Sequence, residues 1–138
     1  MHPPVFADTG FWIARLSPQD QLHRAAREAG RLVGKAPIVT TELVLAEVLN
    51  TLSGRGAFIR SRAVRLIETL RGDQQVEIIP SSTWFDEALS LYRERSDKSW
   101  SLTDCMSFAI MRRRGIEVAL AHDHHFVQAG FTALLRDS

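Results

Sequence analysis

Four acids stand where a carboxylate is hard to explain by solvation alone. Asp8 interrupts the apolar stretch VFADTGFWIA, and Glu47 lies among Val44, Leu45, Val48 and Leu49 in TTELVLAEVLN. Asp104 opens the apolar run of SLTDCMSFAIMRRRG, and Asp123 follows the strand-like VALA segment of VALAHDHHFVQAG. Each has an ordinary structural explanation when taken singly. Asp8 and Asp123 could cap helices, Ser101 and Asp104 have the spacing of a capping box, and Glu47 could be a solvated helix position. Glu42 competes with Glu47, but five residues correspond to about 140° around a helix, so the two should not share a face.

Taken together they suggest chemistry. Two carboxylates ~4 Å apart repel by about 4 kcal/mol at an effective dielectric of 20, so acids that converge need protons or cations. Oxygen-only ligands favour Mg²⁺ or Mn²⁺ over Zn²⁺, and hard cations that activate water and stabilise a leaving oxygen are a common means of hydrolysing phosphodiesters.

Convergence depends on the elements that carry these residues. Strand-like runs at Val5 to Ala7, Pro37 to Thr40, Val76 to Ile79, Glu117 to Ala121 and Thr132 to Leu135 alternate with helical patterns near 10–16, 19–33, 41–53, 57–71, 83–95 and 102–114. The run Ser17-Pro18-Gln19-Asp20 reads as a helix start, and Gly34, Gly54, Gly72 and Gly115 punctuate helix ends. Strands separated by helices imply right-handed crossovers and an α/β fold with a parallel sheet covered on both faces. Functional crevices in such sheets lie beyond the carboxyl ends of the strands, where Asp8 and Asp123 fall.

At 138 residues and 45% hydrophobic, the chain has the size of one domain, 1–138, with no repeat or linker to divide it. A net charge of +1 neither requires nor excludes a nucleic-acid partner. A single cysteine, Cys105, cannot form an internal disulfide; it reads as core filling, and a reducing cytoplasm is the expected compartment. MHPPVFADT lacks a basic region followed by a long apolar run, and no segment reaches the ~18 apolar residues of a membrane span, so the protein is expected to be soluble and unexported.

With VFADTGFWIA, TTELVLAEVLN, SLTDC and HDHHFVQAGF in this order and spacing, nearly the whole chain resembles the PIN-domain nucleases, most closely the VapC-type toxins of bacterial toxin–antitoxin pairs. The resemblance implies a five-stranded parallel sheet in the order 3-2-1-4-5 and a metal-dependent endoribonuclease. Asp8, Glu47, Asp104 and Asp123 would be the acids around Mg²⁺ or Mn²⁺. It further implies products with a 5′-phosphate and a 3′-hydroxyl, a homodimer, and a cognate antitoxin whose C-terminal segment covers the crevice. The chain departs from the family at His122, where Thr or Ser often precedes the fourth acid.

Other readings stay open. A PIN nuclease can process RNA rather than act as a toxin, and an idle RNA-binding or scaffold protein would keep the fold. A receiver-like signalling domain also uses acids and Mg²⁺, but it wants a late lysine, and the only lysines are Lys35 and Lys98. His122, Asp123, His124 and His125 suggest zinc only weakly, because neighbouring residues are expected to point in different directions. Thr103 could steady Asp104 or simply be a second helix-start residue. The runs Arg55, Arg60, Arg62, Arg65 and Arg112 to Arg114 could hold RNA phosphates if either borders the crevice. Phe11 or Trp12 could line a surface for bases, with the other in the core.

Overall fold

The computed structural model describes residues 2–136. Five parallel strands, β1 (Val5–Ala7), β2 (Ile38–Thr41), β3 (Val76–Ile79), β4 (Val118–Leu120) and β5 (Thr132–Ala133), form one sheet in the order β3-β2-β1-β4-β5. Seven helices among the described residues connect and cover it: α1 (Thr9–Leu16), α2 (His23–Val33), α3 (Glu42–Leu52), α4 (Ala57–Arg71), α5 (Ser81–Glu94), α6 (Leu102–Arg114) and α7 (His124–Gln128). The expected α/β class and strand order are therefore observed. β1 is buried at all three positions because it is the central strand and helices cover both faces.

Two local expectations need correction. The helix expected from residue 19 begins at His23. Ser17 instead closes α1, its amide donating to the Ile13 carbonyl, while Asp20 accepts from the Leu22 amide in a local turn. A cap-like sequence here serves a turn, since Asp readily engages an amide two residues on. The last strand is also shorter than expected, two residues rather than four, with Leu135 packed into the core beyond it.

Phe11 and Trp12 are both buried, so neither offers a surface to bases. Consecutive helix positions can both be interior here because α1 packs against α2, α3 and α4. The rings of Phe11 and Trp12 meet edge to face at 5.0 Å. Trp12 Nε1 donates to Thr40 Oγ1 at 3.3 Å, and Thr40 Oγ1 donates to the Ala7 carbonyl at 2.9 Å. This chain of bonds fixes the end of β1 immediately before Asp8.

A second aromatic group supports the other side. Phe108 on α6 contacts Trp100 at 4.9 Å, Phe126 on α7 at 4.9 Å and Phe131 at 5.7 Å, and Phe126 reaches Phe6 on β1 at 6.5 Å. Such pairs contribute about 0.5–1.5 kcal/mol each beyond the area they bury. They lock the starts of α6 and α7 over the centre of the sheet. Cys105 is buried, and burial pushes its thiol up to about 11, with Asp104 adding to the effect; it is core filling, as expected.

Candidate metal-dependent nuclease centre

The strand order reverses direction between β1 and β4, and the crevice beyond their carboxyl ends is the topological switch point of the sheet. The Asp8 amide donates to the Leu120 carbonyl at 3.1 Å, clamping the exits of the two strands together. A cavity of about 660 Å³ opens there, and Asp8, Glu47, Asp104 and Asp123 all line it. All four acids singled out in the sequence share that wall.

Each is held by local structure. Asp8 occupies the cap position of α1 with extended backbone, yet its carboxylate makes no capping hydrogen bond. Burial pushes its carboxyl up to about 7; the Thr9 amide offsets part of that, and the charges of Asp104, Glu47 and Asp123 raise it further. Glu47 is half-buried on α3. Glu42, its competitor, turns away and accepts from the Ser81 amide at 3.0 Å, capping α5 where Pro80 has no side chain to do so.

Asp104 is both cap and wall. Its Oδ2 accepts from the Ser101 amide at 3.1 Å while Ser101 Oγ accepts from the Asp104 amide at 3.0 Å, the reciprocal capping box. Burial raises its carboxyl above the ordinary range, the Ser101 amide pulls it down, Asp123 raises it, and His125 lowers it. Asp123 caps α7, its Oδ1 accepting from the His125 amide at 2.9 Å. Helix capping and lining of the cavity therefore coexist in both residues. In both residues one oxygen is anchored, and the other, Asp104 Oδ1 or Asp123 Oδ2, carries no hydrogen bond among the described residues.

Sequence reasoning left the roles of His122, His124 and His125 open. His125 Nδ1 lies 3.1 Å from Asp104 Oδ2 and 3.2 Å from Asp123 Oδ1, and its Nε2 lies 3.3 Å from Ser99 Oγ. A proton on Nδ1 is shared between two acids from separate elements, so this ring ties the start of α6 to the start of α7. Contrary to expectation, neighbouring residues do converge: ligand atoms of Asp123, His124 and His125 lie within 4.8 Å of one another, because the cap turns Asp123 back over the first turn of α7. That set is poor for structural zinc, since His125 Nδ1 already contacts Asp104 and Asp123. His122 is exposed on the cavity wall, and its carbonyl accepts from Arg136 Nη1 at 3.1 Å.

The expected arginine runs do not border the crevice. Arg113 pairs with Glu87 at 2.7 Å and Arg114 with Glu77 at 2.6 Å, in the last turn of α6 and away from Asp104 at its start. On α4, Arg60 donates to the Ser53 carbonyl and Arg62 stacks over Phe58. The cation that does line the cavity is Arg136, which sequence inspection passed over because it stands alone near the end of the chain. Thr103 is the second residue of α6 and makes no hydrogen bond to Asp104.

The donor set fits a hard divalent cation. Four carboxylates on one wall, one held near neutrality by burial and the charge of the other three, require a positive partner to be ionised together. Thr9 Oγ1, buried on the same wall, has no hydrogen-bond partner among the described residues, a state that costs about 1–3 kcal/mol unless something polar sits in front of it.

Comparison with known proteins agrees. The family model described as "PIN domain" matches residues 5–132. The chain is 34% identical over 131 residues to the 23S rRNA-specific endonuclease VapC20 of Mycobacterium tuberculosis, in each of two strains, covering 92% of this chain and 95% of the relative. The crystal structure of M. tuberculosis VapC20, described as a sarcin–ricin loop cleaving toxin, superposes with a TM-score of 0.83 at 27% identity over 93% of this chain and 96% of that one. No described helix is long and apolar enough to cross a membrane. The chain is a VapC-type nuclease and belongs to the PIN-domain family.

Proposed function

We propose that the whole chain, 1–138, acts as one endoribonuclease unit whose metal-holding residues are Asp8, Glu47, Asp104 and Asp123, and that Mg²⁺ or Mn²⁺ is its cofactor. The observation that carries this reading is the shared cavity wall, on which Asp8 is pushed up to about 7 by burial and by the other three acids. When bound, such a cation polarises a phosphoryl group and lowers the pKa of nearby water. The chain supplies placement. Asp8 is fixed by the clamp between β1 and β4, Asp104 by its capping box, and Asp123 by its cap on α7. His125 keeps the anchored oxygens of Asp104 and Asp123 in register, and these two residues would hold the cation together with Asp8 and Glu47. Arg136 provides a positive group beside the site for a substrate phosphate.

The relatives support a substrate class. With 34% identity to a 23S rRNA endonuclease along nearly all of both chains, the proposed target is structured ribosomal RNA. The protein would act in the cytoplasm as the toxin of a toxin–antitoxin pair, as a homodimer, restrained by an antitoxin whose C-terminal segment covers the crevice. Incubation with intact ribosomes, followed by primer extension along 23S rRNA, tests this. A single Mg²⁺-dependent stop in the sarcin–ricin region is expected; scattered cuts with no preference, or none, would contradict the target.

A further inference from the structure

Beside the acidic cavity lies a second one of opposite character. It measures about 1010 Å³, at the upper end of ligand-sized cavities, and runs along the last turns of α5 and the segment 95–101 that leads into α6. Arg93, Arg95 and Lys98 line it and no acid does. The nearby acids are accounted for: Glu94 lines a different cavity, facing α6, and Asp97 is held by Arg95 in a two-bond pair at 3.0 and 3.1 Å. Arg95 is also stacked over Trp100 at 4.8 Å, whereas Arg93 and Lys98 have no ion-pair partner among the described residues. Tyr92 lines the same cavity and is 53% exposed, a free aromatic surface.

The two cavities share a rim. Ser99 and Ser101 line both, Ser99 Oγ reaches His125 Nε2, and Ser101 is bonded to Asp104. Trp100 Nε1 donates to Gln128 Oε1 at 3.0 Å, fixing the shared rim to α7. A basic, partly aromatic groove that shares a rim with the cavity lined by four acids suits a polyanion longer than one phosphate.

We propose that this groove binds the RNA strand flanking the scissile phosphate, with Arg93 and Lys98 contacting backbone phosphates and Tyr92 stacking on a base. The proposal rests on the nuclease reading above. Cations of this kind set affinity and its salt dependence, and exposed aromatics accept any base face. The chemical step belongs to the neighbouring acids, so the groove acts on KM and leaves kcat alone.

The test compares wild type with Arg93→Gln/Lys98→Gln, with Tyr92→Ala, and with Arg31→Gln/Lys35→Gln. The last pair removes the same charge at the opposite, amino end of the strands. Binding of a fluorescein-labelled RNA hairpin is followed in chelator over a range of salt, and Mg²⁺-dependent cleavage of the same RNA is measured separately. Arg93→Gln/Lys98→Gln is expected to weaken binding roughly tenfold and to make the slope of log K against log salt shallower by about 1.4, from ~0.7 per phosphate contact on a single strand. KM should rise in parallel with kcat within about twofold, and Tyr92→Ala should weaken binding with the slope unchanged. Equal losses in the Arg31→Gln/Lys35→Gln control, or an unchanged slope and KM in a protein that cleaves, would overturn the groove and leave the nuclease reading standing. Slope-dependent binding by wild type without any cleavage would do the reverse.

Discussion

Replacing Asp8 with Asn separates a cap from a metal-holding acid, because Asn caps a helix about as well as Asp but carries no charge. In the folded, metal-free protein the Asp8 carboxyl is pushed up to about 7 from its ordinary 3.8, first by burial and then by Asp104, Glu47 and Asp123. Between these values the native state holds a proton that the unfolded state has lost. Wild-type stability therefore falls as pH rises from about 4 to about 7, and the full penalty persists above. A shift of about three units corresponds to a ceiling of roughly 4 kcal/mol. Local relaxation brings the expected gain for Asp8→Asn to roughly 2–4 kcal/mol at pH 8, or about 6–15 °C in melting temperature for a domain of this size. Thermal melts in chelator from pH 4 to pH 8 measure it. The difference between variant and wild type should open with rising pH and close near pH 4. Mg²⁺ should then stabilise wild type and leave Asp8→Asn unmoved. An equal or lower melting temperature for Asp8→Asn at pH 8 would refute the claim that the Asp8 charge is held at a cost in the metal-free protein.

The two glutamates of α3 give a paired test of helix phase. Glu47→Gln should reduce cleavage by on the order of a hundredfold or more, and Glu42→Gln should leave it unchanged with stability within about 0.5 kcal/mol, since Gln Oε1 can still accept from the Ser81 amide. Initial cleavage rates and melts of both variants decide it, and the opposite ranking would mean that Glu42 is the functional acid. Phe108→Ala should cost about 3–5 kcal/mol in denaturant unfolding, because it removes the ring that joins Trp100, Phe126 and Phe131. A loss under about 1 kcal/mol would show that the aromatic group does not hold α6 and α7 in place.

The strand runs and most helix positions were legible because apolar periodicity and glycine punctuation report them directly, whereas the strand order came from the family resemblance. The four acids were legible as a pattern, Asp8, Asp104 and Asp123 through their placement at strand exits and helix starts and Glu47 through its apolar neighbours, even though three could be explained as caps and Glu47 as a solvated helix position. The structure shows why those explanations competed: Asp104 and Asp123 do cap helices, with one oxygen each, while facing the cavity. What the sequence could not reveal depends on packing across distant segments. Ser17 to Asp20 has the residues of a helix start but forms the turn that links α1 to α2, which pack against each other. Arg113 and Arg114 are pinned by Glu87 and Glu77, far away in sequence, and the cations beside the site come instead from Arg136 and from Arg93 to Lys98. His125 stood in plain view two residues after Asp123. Only the fold brings its ring against Asp104.

The account's central claim is that these acids hold a divalent cation for hydrolysis by water, without use of the substrate's 2′-hydroxyl. Mapping the ends of RNA fragments made in Mg²⁺, in Mn²⁺ and in chelator, by wild type and by Asp104→Asn, tests it directly. Wild type should give 5′-phosphate and 3′-hydroxyl ends with either metal and no product in chelator, and Asp104→Asn should give none in any condition. A 2′,3′-cyclic phosphate formed in chelator would contradict the claim, and His122, His124 and His125 would become the acid–base candidates.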